Sequence, residues 1–197
     1  MAMSRSEQMA RVGRRDTAPE RALRRELWAR GLRYRVDAKT PAGRADIVHA
    51  GRRVAVFVDG CFWHGCPRHY VAPRTREAFW RAKLKGNVER DRRQTLELEE
   101  AGWRVVRLWS CELARDMDRC ADLVTGAWSG SRSGASLARE RRWHVVEVAT
   151  PPGGLGPERR YLEDLRDPRR HRVVEAAHDG TPVSSRPSTP RRSRTRR

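Results

Sequence analysis

A chain of 197 residues can hold one domain with a sizeable core plus something extra, and its formal net charge of +18 favours a polyanionic partner, most simply nucleic acid. Lys39, Lys83 and Lys85 are the only lysines. An arginine bias of that kind is what a GC-rich genome imposes through its codons, so the motifs carry more of the DNA reading than the charge does. No apolar run approaches the roughly 20 residues that cross a bilayer, and Ser4-Arg-Ser-Glu-Gln8 is too polar for a secretory signal; a cytoplasmic chain without a membrane partner is expected.

Residues 1–15 are polar and arginine-rich around Met9, and read either as a frayed tail or as an arm that orders on DNA. Thr17-Ala-Pro-Glu20 reads as a capping box, with Pro19 in the first turn where its missing N–H costs nothing. The helix it opens should bury Ala22, Leu23 and Leu27, with Trp28 at the margin, and end at Gly31. Residues 32–36 alternate like a half-exposed strand. A turn at Pro41-Ala-Gly43 leads into a second strand at 45–49, and Gly51-Arg52 closes a hairpin onto a third at 53–58. Helices are expected at 74–85 and 87–101, a strand at 103–109 and a helix at 112–128. Cys120 reads as a packed residue on that last helix. Ser129-Gly-Ser-Arg-Ser-Gly134 reads as a linker, 143–148 as a single strand, and 181–197, with its prolines, serines and arginines, as a disordered tail.

The chemistry concentrates in residues 54–69. Val54 to Val58 is an apolar, β-branched strand, and it delivers Asp59, Cys61, Phe62, Trp63, His64, Cys66 and His69. Cys61-x4-Cys66-x2-His69 is metal-ligand spacing, since a short loop folds such soft ligands onto one tetrahedral ion, and Cys111 is the fourth ligand expected. The competing readings are that these cysteines are buried apolar side chains, or that His64 is the fourth ligand. In a reducing compartment the four cysteines of the chain bind metal or stay free rather than form disulfides.

Asp46 lies in the second strand beside Ile47 and Val48, where a charge needs a partner. A salt bridge to Arg44 or Arg53 is the bland solution. A Mg²⁺ ion is the other, because a hard cation takes carboxylate oxygen and shares its shell with substrate phosphate. Asp59 ends the neighbouring strand and can reach the same sheet edge, as a possible further Mg²⁺ ligand. Asp91 shares one helical face with Val88, Thr95 and Leu98, so it points inward and needs compensation that His64 could supply. Phe62 and Trp63 are read either as core or as planar wedges at the mouth of a cation site.

Asp59-Gly-Cys-Phe-Trp-His-Gly-Cys-Pro-x-His69, Asn87-Val-Glu-Arg-Asp-Arg92 and Gly102-Trp-Arg-Val-Val-Arg-Leu-Trp109 resemble, in order, the very short patch repair (Vsr) mismatch endonucleases. Asp16-Thr-Ala-Pro-Glu20 and Gly43-Arg-Ala-Asp46 match the same family upstream, so the likeness spans roughly residues 4–115. The resemblance implies an α/β, restriction-endonuclease-like core, a mixed β-sheet flanked by helices, with a structural zinc site at Cys61, Cys66, His69 and Cys111. It implies catalytic Mg²⁺ on Asp46 and the backbone carbonyl of Val58, water activation by His64 with Asp91, and Glu20 as an outlying acid of the site. It further implies that Phe62 and Trp63 enter DNA from the major groove and Met9 from the minor groove. Two positions depart from the family: Asp59 stands where better-studied relatives carry histidine, and Ala45 where proline is usual.

The expected organisation is a flexible DNA-contacting arm (1–15), a Vsr-like endonuclease domain (16–128) and a linker with a basic, largely disordered extension (129–197). The expected activity is nicking of one strand 5′ of the thymine in a T·G mismatch in double-stranded DNA, by a bacterial, nucleoid-associated monomer working with mismatch-repair proteins. The alternatives are a nickase of the same fold with a broader or different target, and a non-catalytic zinc-stabilised DNA-binding module.

Overall fold

The computed structural model describes residues 15–130, 143–149, 158–167 and 169–176. Met9 and nearly all of the proposed arm, the 131–134 part of the expected linker, and the 181–197 tail lie outside these residues. The chain runs α1 (Ala18–Ala29), β1 (Arg35–Thr40), β2 (Gly43–His49), β3 (Val54–Asp59), α2 (Glu77–Glu100), β4 (Arg104–Trp109), α3 (Ser110–Arg115), α4 (Met117–Ser129), then β5 (Trp143–Ala149), β6 (Glu158–Asp164) and β7 (His171–Ala176).

Strands β1 to β4 form one mixed sheet in sequence order: β1, β2 and β3 are an antiparallel meander, and β4 joins β3 in parallel. Alternation decides what each face does. Val54 and Val56, with Val106 and Leu108 of β4, pack with Leu23 and Leu27 of α1, Leu113 of α3 and Val124 of α4. Ala55 and Phe57, with Val105, pack with Leu98 of α2 on the opposite face. Helices therefore cover both sides, and the sheet is buried between α2 and the α1/α3/α4 layer. Asp59 and Arg107 continue the α2-facing series, which puts charge in an apolar layer and sets up the site.

Two helix ends follow the sequence reading in detail. Gly31 (φ +81°) and Gly102 (φ +76°) each stand just past a helix in left-handed backbone. Their N–H groups reach the carbonyls of Trp28 and Glu99, while those of Leu32 and Trp103 reach Leu27 and Leu98, a Schellman closure in both cases. The start of α1 differs from a capping box. Glu20 accepts from the Asp16 N–H (3.0 Å) and from the Thr17 hydroxyl (2.7 Å), so the glutamate rather than the threonine satisfies the helix entry. Trp28 is 54 % exposed, outside the core and edge-on to Tyr34 under Arg33.

Three element boundaries correct the sequence reading. The first strand begins at Arg35, three residues late. The two helices expected around Gly86 are one helix of 24 residues. The glycine costs about 1 kcal/mol there, but the buried stripe Leu84, Val88, Asp91, Thr95, Leu98 runs through it and outweighs that penalty. The single helix expected over 112–128 is split at Asp116, whose non-helical backbone and side chain, accepting from the Arg119 N–H at 3.0 Å, make it the N-cap of α4.

Beyond α4 the sequence allowed a single strand, and the structure has an antiparallel sheet of order β5-β6-β7. It packs on the outer side of α2: Leu162 is fully buried with Tyr70, Leu84 and Val88. Arg92 bonds Glu163 and the Leu165 carbonyl, and Arg166 pairs with Glu99 at 2.9 Å.

Candidate active site and metal centre

The loop after β3 is pinned at close intervals. The His64 N–H bonds the Gly60 carbonyl, that of Cys66 bonds Cys61, and that of Tyr70 bonds Cys66. Asn87 of α2 donates to the Trp63 carbonyl at 2.7 Å, tying the turn to the helix.

On one side of this loop the ligand atoms of Cys61, Cys66, His69 and Cys111 all lie within 4.8 Å of one another. Cys66 Sγ is 3.8 Å from Cys111 Sγ and 3.7 Å from His69 Nδ1. A tetrahedral zinc with Zn–S bonds of about 2.3 Å places its sulfurs about 3.8 Å apart, so the donor set and its spacing fit that ion. Hydrogen bonds from Cys111 and Cys66 hold the Cys61 thiol far below its ordinary value. The same bonds and burial push Cys111 up, and Cys66 is raised by its charged neighbour Cys61 and by burial despite the opposing bond to Cys111. A bound cation would favour the thiolate form of all three cysteines. His64 is not part of this cluster, which answers the competing choice of fourth ligand.

On the other side lies a charged network between the sheet and α2. His64 Nδ1 is 2.5 Å from Asp91 Oδ2 and 3.5 Å from Asp59 Oδ1. A carboxylate only accepts, so Nδ1 carries the proton in the neutral ring and Nε2 is left as the basic nitrogen. Arg107 of β4 was not anticipated. Its Nε and Nη2 make a two-pronged pair with Asp59, each at 2.9 Å, and Nη2 is also 2.9 Å from Asp91 Oδ1. The guanidinium lies over the Phe57 ring at 4.4 Å, and the side chains of Arg107, Asp59 and Asp91 are almost fully buried. Burial alone would lower the arginine pKa, but Asp59 and Asp91 raise it further, so it stays charged. At Asp91 burial acts upward, and the Arg107 charge and the His64 bond outweigh it, holding the carboxyl below its usual range. Sequence patterning hides Arg107 because it reads as one polar position in an alternating strand; the available signal was Asp59 closing the strand beside it.

Asp46 belongs to neither set. Strands β2 and β3 are paired at Ile47 and Val56, and beyond that pair Asp46 Oδ2 accepts from the Val58 N–H at 2.7 Å. The side chain thus takes over where the backbone ladder stops. Arg44, one of its expected salt-bridge partners, pairs with Asp37 instead. Burial, together with the charges of Glu20 and Asp59, pushes the Asp46 carboxyl up to about 6 against the pull of the Val58 bond and of Arg107. Glu20 therefore lies near enough to be felt at Asp46, although both its oxygens serve the start of α1.

Phe62 and Trp63 are half-buried, edge-on to each other, and packed with Tyr70 and Trp80. Trp80 escaped the sequence reading because it sits on α2, seventeen residues after Trp63.

A sequence profile described as DNA mismatch endonuclease Vsr matches residues 2–69. The type II nicking enzyme V.NaeI of Lentzea aerocolonigenes is 48 % identical over 117 residues, 57 % of this chain and 70 % of that protein. The DNA mismatch endonuclease Vsr of Escherichia coli K12 is 42 % identical over 111 residues, 56 % of this chain and 71 % of that protein. The catalytic domain of the homing endonuclease I-Bth0305I overlays with a TM-score of 0.42 at 21 % identity, covering 58 % of this chain and 97 % of that domain, a likeness too slight to rest anything on. With relatives this similar over two thirds of their length, the chain is a DNA endonuclease and belongs to the Vsr family.

Proposed function

We propose that this endonuclease is Mg²⁺-dependent, carries a structural Zn²⁺ on Cys61, Cys66, His69 and Cys111, and nicks one strand 5′ of the thymine in a T·G pair. The observation that carries the reading is the His64–Asp91 pair, together with Asp46, a carboxylate with no ion pair among the described residues that feels the charges of Asp59 and Arg107 from the same network. Asp46 and the Val58 carbonyl would hold the magnesium, which when bound supplies Lewis-acid stabilisation of the phosphate and of the leaving oxygen. His64 takes a proton from the attacking water through Nε2, and Asp91 fixes its tautomer and favours the imidazolium that results. Asp59, which the sequence offered as a further magnesium ligand, serves Arg107 with both oxygens instead. The order of elements in the core supports the restriction-endonuclease-like assignment.

Phe62 and Trp63 are the wedges on this reading, with Met9 opposite them. Unstacking costs a few kcal/mol and least at a mismatched pair, which gives a physical source of T·G preference. Residues 16–128 carry the nuclease and 1–15 the arm. The enzyme works as a monomer on the nucleoid in the cytoplasm, alongside mismatch-repair proteins; among the described residues no helix is long and apolar enough to cross a membrane.

A second reading is a nickase with a different DNA target, favoured by the names of relatives such as the nicking enzymes V.NaeI and V.XorIIP. A panel of labelled duplexes, one per mismatch and one fully paired, run with Mg²⁺ and with EDTA, separates the two. Cutting confined to T·G and abolished by EDTA is expected; equal cutting of the paired duplex would remove the repair reading.

A further inference from the structure

Arg107 has no assigned role, and its surroundings are unusual. Ligand atoms of Asp59, His64 and Asp91 lie within 4.8 Å of one another, close enough for one divalent cation. One imidazole nitrogen with two carboxylates is a donor set that suits a first-row divalent metal. The guanidinium meets that set first: Nη2 is 2.9 Å from Asp59 and 2.9 Å from Asp91. Both carboxylates and the arginine are buried with at most 3 % of their side-chain surface exposed, so two negative charges here require a positive one. Phe57 below the guanidinium and Thr95 at 3.4 Å from Nη1 hold it flat in place.

We propose that Arg107 is a resident cation, standing where Asp59, Asp91 and His64 would otherwise bind a divalent metal and so keeping Asp91 oriented on His64. Arg107 is therefore a positioning residue, acting on the water-activating pair through Asp91. Its planar fork suits the task because it satisfies both oxygens of Asp59 and still reaches Asp91. The role attributed to His64 rests on the nuclease reading above; the metal count below does not, since it is made without DNA or turnover.

The test uses the full zinc-loaded chain carrying Asp46→Ala, which removes the separate outer carboxylate, and counts bound Mn²⁺ by electron paramagnetic resonance. Four forms are compared: Arg107 retained, Arg107→Lys, Arg107→Met, and Arg107→Met with Asp59→Asn. No tight Mn²⁺ is expected with arginine or lysine, one equivalent with methionine, and none once Asp59 is also changed. Thermal melting checks that each form is folded. One equivalent bound by the arginine form and lost on adding Asp59→Asn overturns the proposal, as does a folded Arg107→Met form that binds none. Should the methionine form not fold, the arginine and lysine forms decide: Asp59-dependent binding in either overturns the proposal, and its absence in both supports it. With Asp46 restored, single-turnover cleavage by Arg107→Lys is expected within about 10-fold of the unmodified enzyme, and Arg107→Met about 10²-fold slower at unchanged half-saturating DNA. A lysine form as slow as the methionine form would also count against it.

Discussion

The thiol and imidazole cluster at Cys61, Cys66, His69 and Cys111 and the charged network at Asp59, His64, Asp91 and Arg107 hang from the same short loop, yet they balance charge differently. In the first, three sulfurs and a ring nitrogen converge within 4.8 Å of one another. In the second, two buried carboxylates meet an internal guanidinium at 2.9 Å. The chain balances the second cluster from its own sequence, whereas on the proposed reading the first is completed by an ion from solution. Asp46 lies between these cases: it is half-buried and bonded to a backbone N–H, it feels Arg107 only as a weaker charge, and it makes no ion pair among the described residues.

The sharpest way to break the contrast is to remove the ion from the first cluster. Chelation at high affinity, or Cys66→Ser, is expected to abolish nicking altogether and to release the loop from Gly60 to Tyr70, seen as raised amide exchange at Cys66 and Tyr70. Protection that persists unchanged in the chelated chain would show that the hydrogen bonds alone suffice. Asp46→Ala should be nearly as severe, costing at least 10³-fold in single-turnover rate while DNA binding, read by fluorescence anisotropy, stays within a few-fold. Asp91→Asn and His64→Gln should each cost about 10²- to 10⁴-fold, and together little more than either alone, because the two act as one unit. Rates that multiply in the double variant would separate them.

A gentler break lies outside both clusters. Leu162→Ala empties a fully buried position between β6 and α2, and should cost about 2–5 kcal/mol in urea denaturation. Because Leu162 packs with Tyr70, which shares a loop with Phe62 and Trp63, part of that loss should appear as a lower DNA affinity.

What could be read beforehand depended on sequence distance. Asp91 was legible because Val88, Thr95 and Leu98 mark one face of its helix within two turns. The grouping of Cys61, Cys66 and His69 was legible because they share one loop; the sequence left the fourth member open between Cys111 and His64, and the structure brings Cys111 to the group. Arg107 was not, since its partners lie 16 and 48 residues away and only the parallel pairing of β3 with β4 brings them together. Gly86 misled because local propensity favours a break while the buried stripe on either side does not. Strand β6 was hidden by its composition: Glu158-Arg-Arg-Tyr-Leu-Glu-Asp164 offers one aliphatic anchor, Leu162, and it packs on Leu84 and Val88 of a helix far earlier in the chain.

The smallest expected effect is the one that tells the compensated carboxylates from the uncompensated one. Asp91 has a depressed pKa, so its contribution to stability is present above the unfolded value and is lost as the pH falls through the folded one. Asp46 has the opposite sign. Its folded value, about 6, lies above the ordinary value of 3.8, so between these pH values the unfolded chain sheds its proton first and stability declines as the pH rises. Above about pH 6 the cost is constant, at most about 3 kcal/mol and nearer 1–2 kcal/mol for a side chain that water partly reaches. Asp46→Asn keeps an oxygen for the Val58 N–H and removes the charge. It should therefore match the wild type near pH 3.5, become the more stable protein by about pH 6.5, and lose that advantage when Mg²⁺ is added to the wild type. Melting curves of the two proteins across this range, with and without Mg²⁺, make the comparison directly. A wild type equally stable at all these pH values would mean that Asp46 already has a cation within the fold, and the distinction between it and Asp91 would fail.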